Sequence, residues 1–562
     1  MVFPRVCCVH AMALVAVGLG LTVALPSAQA DYIDHFATTD DVGWAKVPAF
    51  GTSRILVIPV EVDGLRALDL DRMERFFAPD TQGEFAFTEF YTRTSLGAYQ
   101  PEAVVVDPVR FPSCPLPEDY FGYEDCAIPR GGGDSPDKIL ESLEAGLGMV
   151  DAVLAAVEAQ GVDFGQFDIN GPQEGVPDGW IDGVLILHNI DFGGIALPLY
   201  WLQDALRSEP PLTYDDVQIN IVGIAQSEAV AVHEFGHLLG WADLYDESGR
   251  SKGLQYSFMG SWNYTEAVHG LDAYSRIAVG WAAPMAVYNE GDTVTDLRLR
   301  PAMDSGDIIQ LGSGDEYFLI ENRGPVEGDY VDAGLLAQGL SIVHVNTRKA
   351  PPDTESQWTL RLLNCVNCDT WSPMLMNEQA DGKFELQLPG SRRDDRGDLF
   401  QPGARFVPGL NSNAALGSDH KVLSSNRYDG SVTGIAVTHI RQEGEDLLFD
   451  VALYPPCDLL ACSSGGTCQD GRCTSGFPSA AGGVAPWDIS DTPPNTPDTG
   501  TATADTGASD DPDASSTNSG GGDGGGCTVG ASAPSNPTVP TAGSILLLLM
   551  WVLHRTRLNR PV

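Results

Sequence analysis

Positive charge is what this sequence has least of. Only 32 Lys and Arg stand against 77 Asp and Glu, a net charge of -45 over 562 residues. Nucleic acid is excluded as a partner, because phosphate binding needs clusters of Lys and Arg. Long apolar runs are missing too. Neither Ala11 to Leu25 nor Ile545 to Leu553 reaches the roughly 20 residues of a full membrane span. What is present suits a globular protein of two or three domains with a sizeable core, at an ordinary 43% hydrophobic content. The acidic balance favours solubility outside the cell and affinity for hard cations such as calcium.

Residues 1–30 read as a secretory signal: Arg5 supplies the positive start, Ala11 to Leu25 the apolar run and Ala28-Gln29-Ala30 the cleavage site. The mature chain then begins near Asp31 in an oxidising compartment. Of 11 cysteines, Cys7 and Cys8 leave with the signal and Cys527 sits alone near the C-terminus. The remaining even set fits disulfides. Cys114 with Cys126 and Cys365 with Cys368 are the simplest local pairs, since no second pair lies near Cys365 and Cys368 to complete a zinc site. Cys457, Cys462, Cys468 and Cys473 form a small knob resembling a fragment of an EGF-like module, with three pairings open.

The apolar run Ile55 to Val62 reads as a buried strand, Phe87 to Ser95 as a short helix and Tyr99 to Val106 as another strand. Pro136 to Gln160 carries apolar residues at helical spacing, Leu147, Val150, Val153, Leu154 and Val157 among them, and describes one long helix packed on a sheet. Trp180 to Ile190 is a further buried strand. Val217, Ile219 and Ile221 alternate with Gln218 and Asn220, which predicts a half-exposed strand able to bind an extended peptide or simply to form a sheet edge. Between them, Asp168, Asn170, Asp178 and Asp182 cluster among glycines. That pattern suits calcium, although the closing Glu of an EF-hand loop is absent, and it also suits a plain turn.

The stretch His233-Glu234-Phe235-Gly236-His237-Leu238-Leu239-Gly240-Trp241-Ala242-Asp243 carries the chemistry. On a helix, His233 and His237 share a face and can aim both imidazoles at one metal ion. Glu234 stands beside them as a general base rather than a ligand. Gly240 can end the helix in the left-handed conformation, so that Asp243 returns as a third ligand and one position stays open, as a catalytic zinc requires. Tyr256-Ser257-Phe258-Met259-Gly260 downstream suits the methionine turn that metzincins place beneath the metal.

From about Ile55 to Leu453 the chain resembles the immune inhibitor A family of secreted metallopeptidases. The likeness runs through Ile55–Val62, Phe167-Asp168 to Asp182-Gly183, the zinc motif continued through Asp246, Ser257 to Gly260, and Asp272-Ala273-Tyr274 with Gly280-Trp281. It continues in Tyr317-Phe318-Leu319-Ile320-Glu321-Asn322-Arg323 and in Gly339-Leu340-Ser341-Ile342-Val343-His344-Val345. The resemblance implies a metzincin-like endopeptidase with His233, His237 and Asp243 on zinc and Glu234 as base. Asp246 and Glu266 are the other candidates for the oxygen ligand, and Tyr264 or Tyr256 for an assisting hydroxyl. Some members carry a long inhibitory prosegment, whereas about two dozen residues separate Asp31 from the first strand here.

The expected organisation is a signal (1–30), an α/β (α+β) metzincin-like catalytic domain with a mixed twisted sheet and long helices (31–288), and a β-rich, sandwich-like domain (289–456). The cysteine knob (457–475) and a disordered Thr/Pro/Ser/Gly/Asp stalk (476–526) follow. The last segment (527–562) has Cys527, the run Ile545 to Leu553 and then Arg555, Arg557 and Arg560. It resembles bacterial sorting tails in which a Gly-Cys site is processed and the cysteine becomes the anchor; a plain anchor helix is the alternative. The composite expectation is a zinc endopeptidase acting on proteins or peptides, secreted to or displayed on a bacterial surface. A non-catalytic surface binding protein on the same fold, and a gluzincin-type hydrolase using Glu266, are the competing readings.

Overall fold

The computed structural model describes residues 47–79, 84–112, 136–190, 194–197, 199, 210–241, 243–244, 254, 256–260, 268–326, 329–349, 367, 373–387, 395–409, 423–462, 465–474 and 478–480. The signal and tail expectations, the stalk from residue 481 onward, Cys114, Cys126, Cys365, Cys368, Asp246, Tyr264 and Glu266 lie outside the described residues, whereas Pro478–Ala480, expected to belong to the disordered stalk, pairs as a short strand with Leu460–Cys462. Among those described, the architecture is mixed α/β, with several sheets and few helices.

The N-terminal half contains β1 (Arg54–Val62), α1 (Leu70–Phe77), α2 (Phe87–Thr94), β2 (Glu102–Val105), β3 (Val109–Phe111) and α3 (Pro136–Ala159). There follow β4 (Val184–His188), β5 (Gly194–Leu197), the two-residue pair β6 (Thr213–Tyr214) and β7 (Val217–Gln218), β8 (Val222–Ala225), α4 (Glu228–Leu238) and α5 (Ala273–Ala278). One sheet orders them β2-β1-β4-β8-β5, with β3 also on β1; all pairings are parallel except β5 on β8. Parallel strands are covered on both faces and so read as continuous apolar runs. In β1, Ile55 and Val57 face one core while Leu56, Ile58 and Val60 face the other. Leu147, Val150, Val153, Leu154 and Val157 of α3 cover the second face, and α2, α4 and α5 cover the first.

The half-exposed strand expected at Val217 to Ile221 is not what forms. Only Val217 and Gln218 pair, after a turn that takes Asp215 and Asp216 to positive φ. Ile219, Asn220 and Ile221 are all buried. The strand leading into α4 is instead the apolar Val222-Gly223-Ile224-Ala225, held centrally between β4 and β5. Alternation of side chains misled because Asn220 is an interior polar group, not a solvent-facing one. Among the described residues the edge on this side is β5.

The C-terminal half contains β9 (Ala286–Tyr288), β10 (Thr293–Leu299), β11 (Ile309–Leu311), β12 (Glu316–Arg323), β13 (Gly339–Asn346), β14 (Leu375–Glu378), β15 (Ile435–Glu443) and β16 (Asp446–Leu453). They make a five-stranded sheet, β14-β13-β12-β11-β9, and a three-stranded one, β10-β16-β15. Phe318, Ile320, Leu340 and Ile342 share one apolar core with Val437, Leu447, Phe449 and Val451 of the smaller sheet. The alternate residues Tyr317, Leu319, Val343 and Val345 enter the core that also holds Ile55, Val57 and Phe235. The larger sheet is therefore buried on both faces and walls both halves of the protein. Its β9, on the N-terminal side of the 288/289 division, pairs with β11.

Of the three pairings left open for the knob, Cys457 joins Cys468 and Cys462 joins Cys473. The knob docks by a main-chain bond from Val432 N–H to the Gly471 carbonyl, 3.0 Å, and by Arg472 on Asp429, 2.7 Å.

Phe87 is fully buried against Phe77, Tyr91 and Phe235, with ring centroids 5.2, 5.2 and 5.0 Å away. Phe87→Ala should cost roughly 3–5 kcal/mol of unfolding free energy, read by denaturant titration. A loss below about 1 kcal/mol would mean that this core is not the packed unit described.

Candidate metal centre

The helix α4 begins at Ser227, whose side chain accepts the Val230 N–H at 3.4 Å. It ends in a motif with two reversed hydrogen bonds, Gly240 N–H to the His237 carbonyl (3.0 Å) and Trp241 N–H to the Gly236 carbonyl (3.1 Å). The motif needs a left-handed residue, and Gly240 supplies it with φ 99°. The chain then doubles back. Trp241 anchors it by donating its indole N–H to the Ser275 carbonyl at 3.0 Å.

That reversal brings together the three residues that spacing had proposed as ligands. Asp243 Oδ1 lies 2.8 Å from His233 Nε2 and 3.3 Å from His237 Nε2. Donors held about 2.1 Å from one tetrahedral centre are about 3.4 Å apart, so this set suits a zinc-sized ion after a small adjustment. The other ring nitrogens face inward. His237 Nδ1 pairs with the Trp241 carbonyl at 2.8 Å, and the His233 ring packs beside the Phe258 ring, with centroids 6.3 Å apart. Such partners orient each imidazole and direct Nε2 at the shared point. His233 is buried, whereas His237 and Asp243 keep 13% and 17% of their side chains exposed, so the centre opens to the surface on one side.

Glu234 is not one of the converging donors. Its Oε2 is 4.0 Å from His237 Nε2, and burial pushes its carboxyl up to about 8. A buried carboxyl with affinity for a proton near neutrality suits a general base. Burial also lowers His233. At His237 burial is outweighed by the carboxylates of Asp243 and Glu234, which bring it up to about 9 in the metal-free chain. Asp243, despite its burial, is held well below the usual carboxylate range by the two imidazoles.

Met259 forms the floor. Its sulfur would lie 2.7 Å from a Cβ at Gly236, between the two histidines, and its carbonyl accepts the Leu244 N–H at 3.0 Å, one residue past Asp243. The edge strand β5 forms a wall: a Cβ at Gly194 would stand 2.2 Å from Glu234 Oε1. Nothing local to Gly194 in the sequence marks this contact with a residue 40 positions away. Nor does the sequence give a role to Arg323, Asp332 or Asp272. Asp272 Oδ2 accepts from Ser257 Oγ at 2.7 Å and ties the floor to α5. Tyr256, considered as an assisting hydroxyl, donates instead to Asp398 Oδ2 at 2.8 Å.

The residues proposed for calcium have other duties. Asp168 accepts the Asp178 and Gly179 N–H groups at 3.0 and 2.9 Å, and Asp178 the Trp180 N–H at 3.0 Å. Asp182 accepts from Arg54 N at 2.8 Å and Asn170 N at 3.2 Å, and the Asn170 amide donates to the Phe50 carbonyl at 2.6 Å. The bonds of Asp168 and Asp178 are local turn roles, the alternative raised for this segment, whereas Asp182 and Asn170 also tie it to Arg54 and Phe50. Among the described residues, two sets of three potential ligand atoms converge within 4.8 Å: His233, His237 and Asp243, and the group Asp381, Asp395 and Asp398. Lys383 already pairs with Asp381 and Asp395 in the second.

No protein-family model matches the chain, and no curated protein matches it. The site is therefore read from its own geometry.

Zinc, if it binds at this point, would displace the proton from His237 while His233 is neutral and Asp243 ionised. Affinity should therefore rise about tenfold per pH unit from pH 6 toward 9 and then level off, measured by competition at buffered free zinc. A flat profile over that range refutes the protonation scheme. Gly194→Ala drives a methyl group into Glu234. It should leave zinc stoichiometry unchanged while lowering the turnover of any Glu234-dependent reaction by about 10²-fold. Unchanged turnover would show that β5 does not constrain Glu234.

Proposed function

We propose that the chain is a zinc-dependent endopeptidase of metzincin-like type, secreted and held at a bacterial surface, acting on extracellular proteins or peptides. One observation carries the reading: two imidazoles and a carboxylate oxygen share a point, with a buried carboxyl close by that is not among them. The resemblance to the immune inhibitor A family agrees with the same assignment.

His233, His237 and Asp243 supply a donor set that fits zinc. When bound there, zinc polarises a carbonyl and acidifies a water. Glu234 takes the proton from the attacking water and returns it to the departing amine. The peptide bond breaks, and the water's hydroxyl and proton end on the two new termini. The strand β5 pairs with β8 on one side; an extended peptide laid along its other side reaches Glu234 through main-chain hydrogen bonds, with little demand on sequence. Surface attachment rests on the signal-like start and the Gly-Cys tail, and intact-mass analysis of the surface form distinguishes processing at Cys527 from retention of Arg560.

A non-catalytic binding protein on this fold has no use for a buried Glu234 beside the ligands, and a gluzincin arrangement has no use for Asp243 at the shared point. Digestion of casein by the full chain should stop on zinc chelation and return on adding zinc. Glu234→Gln should keep bound zinc and lose activity by about 10²–10⁴-fold. Chelator-resistant cleavage would overturn the metal's role, and substantial cleavage by Glu234→Gln would overturn that of the base.

A further inference from the structure

Two arginines and two carboxylates are sealed from solvent where β12 passes α5. Arg276, Glu321, Arg323 and Asp332 are each no more than 2% exposed. Glu321 accepts from Arg276 through Oε2 and from Arg323 through Oε1, the latter at 3.0 Å. Arg323 also grips Asp332 with both arms of its fork, Nε to Oδ2 and Nη2 to Oδ1, each 2.6 Å. The charges cancel two against two. A buried ionic group of this kind is seldom more stabilising than apolar residues of the same volume, so stability alone does not account for it.

What the group holds is the turn beneath the candidate metal centre. Arg323 Nη1 donates to the Tyr256 carbonyl at 3.0 Å, and Asp332 Oδ1 accepts the Gly270 N–H at 2.9 Å. Gly270 in turn accepts the Phe258 N–H at 3.2 Å. The segment is thereby fastened from both sides. From it run three separate links to the centre: the Phe258 ring beside the His233 ring, the Met259 carbonyl to Leu244 beside Asp243, and the Met259 sulfur against Gly236.

We infer that the Arg323–Asp332 pair is the positioning clamp of the metal centre, fixing the turn 256–260 so that Asp243 and His233 meet and thereby setting the affinity for metal. The inference rests on reading His233, His237 and Asp243 as ligands. Arg323 touches none of them, so it acts through the turn. Only a guanidinium presents enough donors in one plane to serve Asp332 twice, Glu321 and the Tyr256 carbonyl together; a lysine keeps the charge and loses the fork.

The test compares wild type, Arg323→Lys and Glu378→Gln as full chains. Glu378→Gln removes the charge from another buried contact of the same sheet, Glu378 Oε1 to His344 Nδ1 at 3.0 Å, and serves as the control for general loosening. Amide hydrogen exchange is read on the metal-free proteins, and zinc affinity by chelator competition. Arg323→Lys should speed exchange at residues 243–244 and 256–260 and weaken zinc by about 10–100-fold, while Glu378→Gln leaves both as in wild type. Wild-type exchange in those residues for Arg323→Lys, or equal changes in the two variants, overturns the clamp. Should Arg323→Lys not fold, Asp332→Asn, which keeps the Arg323–Glu321 pair, is read in the same way. A wild type that binds no zinc removes the peptidase reading, and the exchange pattern still decides the clamp.

Discussion

A single main-chain hydrogen bond, Leu244 N–H to the Met259 carbonyl, closes the loop that returns Asp243 to the helix carrying His233 and His237. One helical turn places the two histidines on a common face, and only the orientation of their rings is set from outside the helix. The carboxylate arrives from beyond the helix end on irregular backbone, and such backbone holds an atomic position only when packed or bonded from outside. The left-handed Gly240 sets the direction of return, Trp241 pins it to α5, and Met259 fixes its end. Remove any of these and the helix still folds, but the third donor has no defined place.

This division between local and distant causes also decides what could be read from the sequence. The helix-borne pair, the terminating glycine and the nearby Asp243 are encoded within eleven residues, and all appear where spacing placed them. Buried parallel strands are legible for the same reason: β1 and β4 carry the apolar runs Ile55–Val60 and Val184–Leu187. The failure at Val217 to Ile221 came from treating a polar residue as a surface residue, when Asn220 lies in the interior. Gly194 against Glu234 and Arg323 against Tyr256 were not legible at all, because each is a meeting of segments far apart in the chain. The stretch Glu321-Asn322-Arg323 stands out as a pattern, but nothing in it says what its side chains touch.

The scarcity of basic residues takes on meaning in this light. Arg276 and Arg323 neutralise the interior carboxylates of Glu321 and Asp332, Arg110 does so for the nearly buried Glu61, and Arg93 lies between Asp304 and Asp329. In a chain with 77 acidic residues, several of the 32 basic ones are thus committed to holding segments together. Arginine suits that task, since its planar fork fixes geometry as well as charge.

The larger C-terminal sheet, walled in on both faces, ties the order of synthesis to the completion of the centre. Every proposed ligand has been made once residue 243 is in place, yet Tyr317, Leu319, Val343 and Val345, which close the core around α4, come later in the chain. A growing or prematurely ended polypeptide therefore carries all the donor atoms without the frame that aligns them. The packing around α4 is thus complete only when β12 and β13 are present.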